Sequence, residues 1–358
     1  MRIQVIIINS LLVCCWLAIL YWISIMHRVK IIKEIFMDEP TVIVSSLSTS
    51  IATDADTIHA VCDVDFDIKK GEIFGLVGES GCGKTMTALS IMGLVPPPGK
   101  IMNGEIIFEG HNLVGFSEKK MEQVRGNKIG MIFQEPMTAL NPVIRVGEQI
   151  AETIRIHRDI SNKEVKDRTL KLLKQVGFDE PEKKYTQYPH QLSGGQRQRV
   201  LIAIAISCSP SLVIADEPTT ALDVATESQI LCLLNELIAQ YGMSMLFITH
   251  NLNIIRKLAR RIGIMYAGRL LEQNCVDDFF EKPLHPYSKG LVDAIFGLSG
   301  TEKRLKTIPG FVPRLSEMPE GCKFHPRCTQ VMPQCKENEP PMFNTGNEKW
   351  VKCFLYQG

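Results

Sequence analysis

The chain has 358 residues, 45% hydrophobic and 22% charged, and this ordinary globular composition supplies enough apolar side chains for a large buried core. Its formal net charge of +1 excludes a strong overall field for attracting nucleic acid or an anionic membrane surface. The eleven cysteines are too dispersed for a secreted disulfide scaffold, and only the last four cluster, near the C-terminus.

The N-terminus opens with an almost uncharged apolar stretch from Ile3 to Met26, which is long enough to cross a bilayer. Basic residues follow it and would hold the next domain in the cytoplasm. Two interpretations stay open: residues 1–36 form a single N-terminal membrane anchor, or translation begins at Met37 and they are a mis-assigned extension. No small-residue cleavage site is present, which argues against export.

The next segments predict a hairpin and then a strand, a loop and a helix. Thr41 to Leu47 and Val61 to Ile68 alternate apolar and polar residues around a turn-rich segment, which is typical of an antiparallel hairpin. Glu72 to Val77 is a continuous apolar run that ends in a glycine-rich loop, and a helical pattern follows from Lys84 to Gly93. This order indicates an α/β core.

Further along the chain, two buried strands are predicted at Leu212 to Ala215 and Met245 to Thr249, with an amphipathic helix between them that suits a parallel crossover. From about Val143 to Tyr188 the pattern is helical and polar, so we expect a helical subdomain at about residues 143–208. Past about Lys282 frequent prolines break regular structure and predict a small, irregular appendage.

The glycine-rich loop matches a phosphate-binding loop. It consists of Gly78, Glu79, Ser80, Gly81, Cys82, Gly83, Lys84 and Thr85. Glycines allow successive backbone N–H groups to turn inward, and the following helix presents its N-terminus to phosphates. We expect Lys84 to reach the β- and γ-phosphates of ATP and the Thr85 hydroxyl to bind Mg²⁺. The ATP-binding domain is therefore predicted at residues 37–282.

Two carboxylates follow the buried strand at Leu212 to Ala215. A phosphate-loop enzyme needs one acid to hold magnesium and another to orient the attacking water. We therefore predict that Asp216 binds the metal and that Glu217 is the general base.

A second glycine-containing segment, Leu192 to Gln196, opens a helical stretch from Arg197 to Ser207. It again supplies small residues, Ser193 and Gly195 among them, and backbone N–H groups at a helix N-terminus. A second phosphate-binding cap in one chain suits a different nucleotide. In this feature the sequence resembles the ATP-binding subunits of ABC transporters, whose signature segment closes over the ATP held by the opposite subunit.

The resemblance extends over about Val42 to Arg269 and implies a P-loop NTPase fold of ABC type: a parallel-sheet core, an antiparallel β subdomain and an inserted helical subdomain. It implies that Gln134 contacts magnesium and the nucleophilic water, that Asp223 crosses the dimer interface, and that His250 contacts the γ-phosphate. Lys84, Gln134 and His250 would position and neutralise charge while the general base orients water.

Two positions near the nucleotide leave alternatives open. The aromatic residue on which the family usually stacks adenine is replaced by Ile51 here, with His59 as the other candidate. Cys82 is interpreted as a small filler of the loop; the alternative is a thiol whose pKa is lowered by the helix terminus, which would make ATP binding sensitive to oxidants.

The tail narrows the family. His285 to Leu291 and Gly321 to Cys328 resemble the C-terminal extension of dipeptide and oligopeptide importer ATPases, predicted here at residues 283–358. Asn141 to Gln149, after the glutamine loop, is similar to the same group. Some members of the group carry a four-iron cluster in this extension.

Four cysteines of the tail, Cys322, Cys328, Cys335 and Cys353, are candidate metal ligands. The segment is too short to build its own core, and a metal commonly substitutes for packing there. Their spacing matches neither a ferredoxin run nor paired zinc knuckles, so a 4Fe-4S cluster, a zinc site and free thiols all stay open. Any cluster would serve first to stabilise the structure and only second to transfer electrons.

The resemblance also implies partners and location. Two ATP-binding subunits would face head to tail, a heterodimer with a related second ATPase being favoured over a homodimer, and would drive two transmembrane permease subunits. An extracytoplasmic peptide-binding protein would take part indirectly. The chain would lie peripherally on the cytoplasmic face of the inner membrane.

Two kinds of alternative to peptide import stay open: another cargo, or another class of ABC ATPase. Nickel, glutathione-like and sugar-derived peptide cargo stay open, because the ATPase does not touch the cargo. The alternative class is a soluble, non-transport ABC ATPase that remodels nucleic acid or ribosomes. The single cassette, the missing heptad insertion and the missing basic patch argue against it, so no nucleic-acid partner is expected.

Overall fold

The computed structural model describes residues 39–53, 57–220, 222–296, 308–314, 317–346 and 348–357. The apolar segment at 1–36 lies outside these residues, as does Ala221. Within the described ranges, no helix combines the length and apolar character needed to cross a membrane.

The described strands fall into two sheets. They are β1 (Pro40–Ala52), β2 (Thr57–Lys69), β3 (Ile73–Val77), β4 (Gly99–Phe108), β5 (His111–Asn112), β6 (Ile129–Ile132), β7 (Leu212–Asp216), β8 (Ser244–Thr249), β9 (Arg261–Tyr266), β10 (Arg269–Cys275), β11 (Phe343–Gly346) and β12 (Lys349–Val351). The first sheet has the order β2-β1-β4-β5, and the second has the order β11-β12-β10-β9-β3-β8-β7-β6.

The predicted hairpin is confirmed as the antiparallel pair β1 and β2, in which Val42 faces Ile68. Val42 and Val44 are buried on one face, because successive residues of a strand point to opposite faces, and Leu47 is buried beyond an irregularity in the pairing that follows Val44. Both strands are longer than the alternating pattern predicts. This sheet is the antiparallel β subdomain expected from the resemblance.

The second sheet forms the α/β core. Strands β6, β7, β8, β3 and β9 are parallel neighbours, and the predicted strands at 72–77, 212–215 and 245–249 become β3, β7 and β8. The predicted crossover helix is Val224–Tyr241. Because parallel strands end at the same edge, the residues after β3, β7 and β8 are brought together there.

The helices surround this core. They span Lys84–Ile91, Glu118–Val124, Pro136–Ala139, Val146–His157, Asn162–Gln175, Pro181–Thr186, Gly194–Ile206, Val224–Tyr241, Leu252–Leu258, Val276–Glu281, Pro286–Phe296 and Gln334–Glu337, with short 3-10 turns at Pro189–Gln191, His325–Arg327 and Phe354–Tyr356. As predicted, the described segment from residue 143 to 188 contains helices and no strand. The helix expected from Arg197 begins three residues earlier, because Ser193 caps it.

The end of the chain returns to the core. β12 pairs antiparallel with β10, with Val351 opposite Glu272, and β11 pairs with β12. These two short strands therefore continue the core sheet, although prolines and 3-10 turns dominate the surrounding segment. The boundary between 37–282 and 283–358 stays a prediction, since these hydrogen bonds cross it.

Candidate nucleotide-binding site

The phosphate loop follows β3 and depends on glycine at two points. A Cβ atom at Gly78 would overlap the carbonyl oxygen of Met265, and Gly83 has a φ of 105° that side chains rarely adopt. The Gly268 N–H donates to the Cys82 carbonyl oxygen at 2.9 Å and ties the loop to the turn after β9. The loop is thus held close to the core backbone, which only glycine permits.

Lys84 begins the helix after the loop and is 5% exposed. Its Nζ donates to the carbonyl oxygens of Gly78 at 2.8 Å and Glu79 at 3.1 Å, so the ammonium lies within the loop. Ser80 and Thr85 are exposed beside it. A buried cation at a helix N-terminus, with exposed residues beside it whose backbone can donate N–H groups, is suited to binding an anion.

Asp216 lies at the end of β7 and is 2% exposed. Its Oδ1 atom has no hydrogen-bond partner among the described residues. Burial raises the pKa of this carboxyl, and the nearby Glu217 charge adds to the rise while a hydrogen bond from Thr85 opposes it. An orphaned, buried carboxylate oxygen beside a hydroxyl has the oxygen ligands that Mg²⁺ prefers. The chemistry of these two residues therefore fits the predicted metal.

Glu217 is held at the centre of a polar group. Its φ of 45° is left-handed, and its N–H donates to the Ile248 carbonyl oxygen of β8 at 2.9 Å. The His250 Nδ1 atom lies 3.2 Å from one carboxylate oxygen, and Gln134 Nε2 donates to the other at 3.4 Å. The Thr220 hydroxyl also donates to it at 2.9 Å.

The structure therefore brings together three residues that are 33 to 116 positions apart in the sequence, Gln134, Glu217 and His250. Thr220 was missed by the sequence analysis. Its position three residues after Glu217, in the turn that follows the acidic pair, is the signal that would have indicated it.

The signature residues form a separate group. Ser193 is exposed, and its Oγ accepts the Gln196 N–H at 3.3 Å as the cap of the helix Gly194–Ile206. A Cβ atom on Gly195 would lie 2.5 Å from the Thr226 methyl carbon. Thr226 in turn donates its N–H to Asp223 at 3.0 Å. Across the part of the chain that the structure describes, no hydrogen bond joins these residues to the phosphate loop.

The sequence leaves two questions open near the nucleotide, the state of the Cys82 thiol and the residue that stacks on adenine, and only the first is answered. Cys82 is fully buried, and burial raises the pKa of its thiol, so the alternative with a lowered pKa is wrong because desolvation outweighs the attraction of Lys84. Ile51 is half-buried opposite Ile58, and His59 hydrogen-bonds to the Ser50 hydroxyl at 2.8 Å. The adenine contact stays a prediction.

The four tail cysteines meet in one place. Cys322, Cys328, Cys335 and Cys353 all line an enclosed cavity of about 10 Å³, together with the buried His285. Burial raises the pKa of Cys322 to about 11 and lowers that of His285 to about 3. Among the described residues, no three side chains of the types His, Cys, Asp or Glu are arranged to hold a metal ion. The cavity is about large enough for one water molecule.

The fold and the site define the class of protein. A phosphate loop after β3, an acidic pair after β7 and a histidine after β8 lie at one sheet edge, and a helical segment carries the separate signature group. This is the nucleotide-binding domain of an ABC ATPase, with ATP and Mg²⁺ as its ligands.

Comparisons with known proteins agree with this class. The family model for the ABC transporter matches residues 61–220, and the model for the oligopeptide/dipeptide transporter C-terminal region matches residues 271–335. The solved dimeric ABC transporter cassette MJ0796 has 30% identity and a TM-score of 0.59, covering 66% of this chain and 98% of that one.

Two relatives come from Bacillus subtilis. The oligopeptide transport ATP-binding protein AppD is 47% identical over 88% of this chain and 96% of its own length. The oligopeptide transport ATP-binding protein OppD is 46% identical over 87% of this chain and 88% of its own length. The chain therefore belongs to the family of peptide-transport ATP-binding subunits of ABC transporters, and it is an ATP hydrolase of that type.

Proposed function

We propose that this chain powers the import of dipeptides and oligopeptides through partner membrane subunits by ATP-driven dimer closure and hydrolysis. The observation that carries the proposal is the match of residues 271–335 to the oligopeptide/dipeptide transporter C-terminal region. An ATPase of another ABC importer would share the phosphate loop, but this extension is specific to the group. Nickel or glutathione-like cargo is the alternative within that group.

In this proposal the residues at the sheet edge divide the work. Lys84 and the backbone N–H groups of the phosphate loop hold the phosphates, and Thr85 and Asp216 hold Mg²⁺, which neutralises phosphate charge when bound. Glu217 orients the attacking water. Gln134 and His250 contact its carboxylate, which supports their role in keeping that group in place.

The separate signature group supports a site completed by a second subunit. Ser193 and Asp223 are exposed helix caps, and among the described residues neither makes a hydrogen bond to the phosphate loop of its own chain. A related second ATPase placed head to tail would bring its signature to Lys84. ATPases of this class dimerise and act with membrane permeases, so we place the chain peripherally on the cytoplasmic face of the inner membrane.

A two-permease complex and an indirect extracytoplasmic peptide-binding protein complete the proposed importer. The heterodimer is favoured over the homodimer on family resemblance. The dimer in the solved cassette MJ0796 supports pairing as such.

The four tail thiols are proposed as ligands of a 4Fe-4S cluster on the chemistry of the donor set. Their convergence on one cavity supports this, because Cys thiolates are the usual ligands of such clusters. As the thiols are packed, the space between them is about 10 Å³ and has room for little more than a water molecule, so binding a cluster would require the thiols to move apart. No step of the mechanism therefore passes through it.

Peptide uptake by cells tests the transport proposal. Cells that carry the Lys84→Ala variant in place of the wild-type chain should take up a labelled tripeptide at least about tenfold more slowly, because the ATP phosphates lose their fixed cation. The exposed Lys119→Ala provides a matched control, and uptake of the free amino acid reports cell fitness. Unchanged tripeptide uptake combined with lost nickel uptake would instead establish the alternative cargo.

A further inference from the structure

Two side chains of the C-terminal extension contact the phosphate loop at Glu79. The Glu79 N–H donates to the Tyr287 hydroxyl oxygen at 3.3 Å. The guanidinium of Arg327 donates from Nη1 to both Glu79 carboxylate oxygens, at 3.0 and 3.3 Å. Tyr287 is fully buried and Arg327 is 8% exposed, so the extension contributes both contacts from buried side chains, while Glu79 itself is half-buried.

Arg327 reaches the loop from a rigid setting. Its Nε donates to the Pro309 carbonyl oxygen at 2.9 Å, and its Nη1 lies 3.4 Å from the Tyr266 hydroxyl. The guanidinium carbon is 5.7 Å from the centre of the Tyr266 ring, which is a cation–π distance. A side chain fixed by this many partners loses little further entropy when it binds a carboxylate.

Glu79 connects this setting to the catalytic lysine. Its carbonyl oxygen accepts a hydrogen bond from Lys84 Nζ, while its N–H and its carboxylate are held by the extension. Arg327 also neutralises a negative charge within a loop built for phosphates. Without that cation, the Glu79 carboxylate would repel the triphosphate.

We infer that Arg327 and Tyr287 are positioning residues through which the C-terminal extension sets the affinity of the phosphate loop for ATP. The inference rests on the proposed role of residues 78–85 as the ATP site. Neither residue belongs to that loop; both act through Glu79. The expected consequence is a change in ATP binding with little change in the chemical step.

The test compares full-length variants in the assembled ATPase, by magnesium-dependent ATP binding and steady-state hydrolysis. Arg327→Met should raise the KM and Kd for ATP about tenfold with kcat changed less than about twofold, as expected for a hydrogen bond to a charged group. Tyr287→Phe should raise them about threefold, because a neutral hydrogen bond is weaker. Lys349→Met is the matched control: it removes the Lys349–Asp278 ion pair of 3.1 Å and should leave both constants unchanged.

Repeating the Arg327→Met substitution in the Glu79→Gln variant separates a positioning effect on ATP binding from a loss of folding stability. In Glu79→Gln the unneutralised charge is gone, so adding Arg327→Met should raise the Kd for ATP clearly less than about tenfold. An equal effect in both backgrounds would overturn the inference. If Arg327→Met does not fold, Tyr287→Phe decides, and a wild-type Kd in that variant also overturns it.

Lys84→Ala distinguishes failure of the inference from failure of the proposed site. If Lys84→Ala binds ATP as the wild type does, the loop itself is not the ATP site. If Lys84→Ala loses ATP while the Arg327 and Tyr287 variants keep wild-type affinity, the inference alone fails.

Discussion

The phosphate loop region and the four-thiol region each gather several reactive side chains, yet they differ in what surrounds them. In the first, the Asp216 Oδ1 atom lacks a hydrogen-bond partner among the described residues, and Glu217 is oriented by three neighbouring side chains. In the second, Cys322 and its three companions line a cavity of about 10 Å³ and burial keeps that thiol protonated. The phosphate loop region therefore has polar groups available for a ligand, whereas the four-thiol region is closely packed.

The difference lies in the elements that carry the residues. The first site occupies the ends of β3, β7 and β8, whose parallel register brings distant residues to one edge. The thiols lie on short elements: Cys328 follows the 3-10 turn His325–Arg327, Cys335 lies in the four-residue helix Gln334–Glu337, and Cys353 precedes the 3-10 turn Phe354–Tyr356. A sequence motif therefore predicts geometry well only when a regular element holds it.

The largest effect that would test the ATP site is expected from Glu217→Gln. Removing the general base should lower ATP turnover about 10²- to 10⁴-fold while ATP binding persists. The variant should then accumulate as an ATP-bound dimer, measured by phosphate release and by size-exclusion chromatography with ATP.

The exposed Glu122→Gln is the matched control for that experiment and should hydrolyse ATP as the wild type does. Undiminished turnover by Glu217→Gln would show that Glu217 is not the general base of this site.

The second prediction concerns the four-thiol region. Anaerobically purified protein should carry about four irons and absorb visible light if the thiols bind the proposed cluster, and Cys322→Ser should lose both signals. The exposed Cys232→Ser should keep them. The measurement is iron analysis beside ultraviolet–visible spectroscopy.

A colourless, metal-free wild type would instead identify the four thiols as apolar packing. Zinc at about one ion per chain, without colour, would support the alternative that the sequence left open.

The third prediction uses the raised pKa of Asp216. Because burial raises this pKa, the folded protein binds the proton more tightly than the unfolded chain, and stability falls as pH rises through the folded-state pKa. Asp216→Asn should therefore raise the melting temperature of the nucleotide-free protein at pH 8 by about 2–4 °C.

The gain of that variant should be smaller at pH 5 than at pH 8, because the wild-type carboxyl takes up its proton more readily as the pH falls. ATP hydrolysis should be lost throughout, because the amide is a poor magnesium ligand. Calorimetric scans at both pH values check the stability, and a lower melting temperature at pH 8 would contradict the assigned cost of burying this charge.

Much of the core was predictable because its signals are local. The hairpin, β3 and its loop, and β7 with its acidic pair follow from periodicity and glycine positions. The pairing of β12 with β10 and the reach of Arg327 to Glu79 were not predictable, since both join residues far apart in sequence through tertiary contacts. No short-range pattern specifies such contacts.

The smallest effect is expected from Cys82, the thiol that lies inside the phosphate loop itself. It is fully buried and its pKa is raised, so little thiolate exists at neutral pH. Cys82→Ser, which keeps the size of the side chain, should change the KM for ATP less than about twofold. Iodoacetamide at pH 7.5 should leave the ATPase activity of the wild type and of this variant equally intact. Selective inactivation of the wild type would show that this thiol is exposed in solution, and the loop would then be open in a way that the packing around Met265 does not allow.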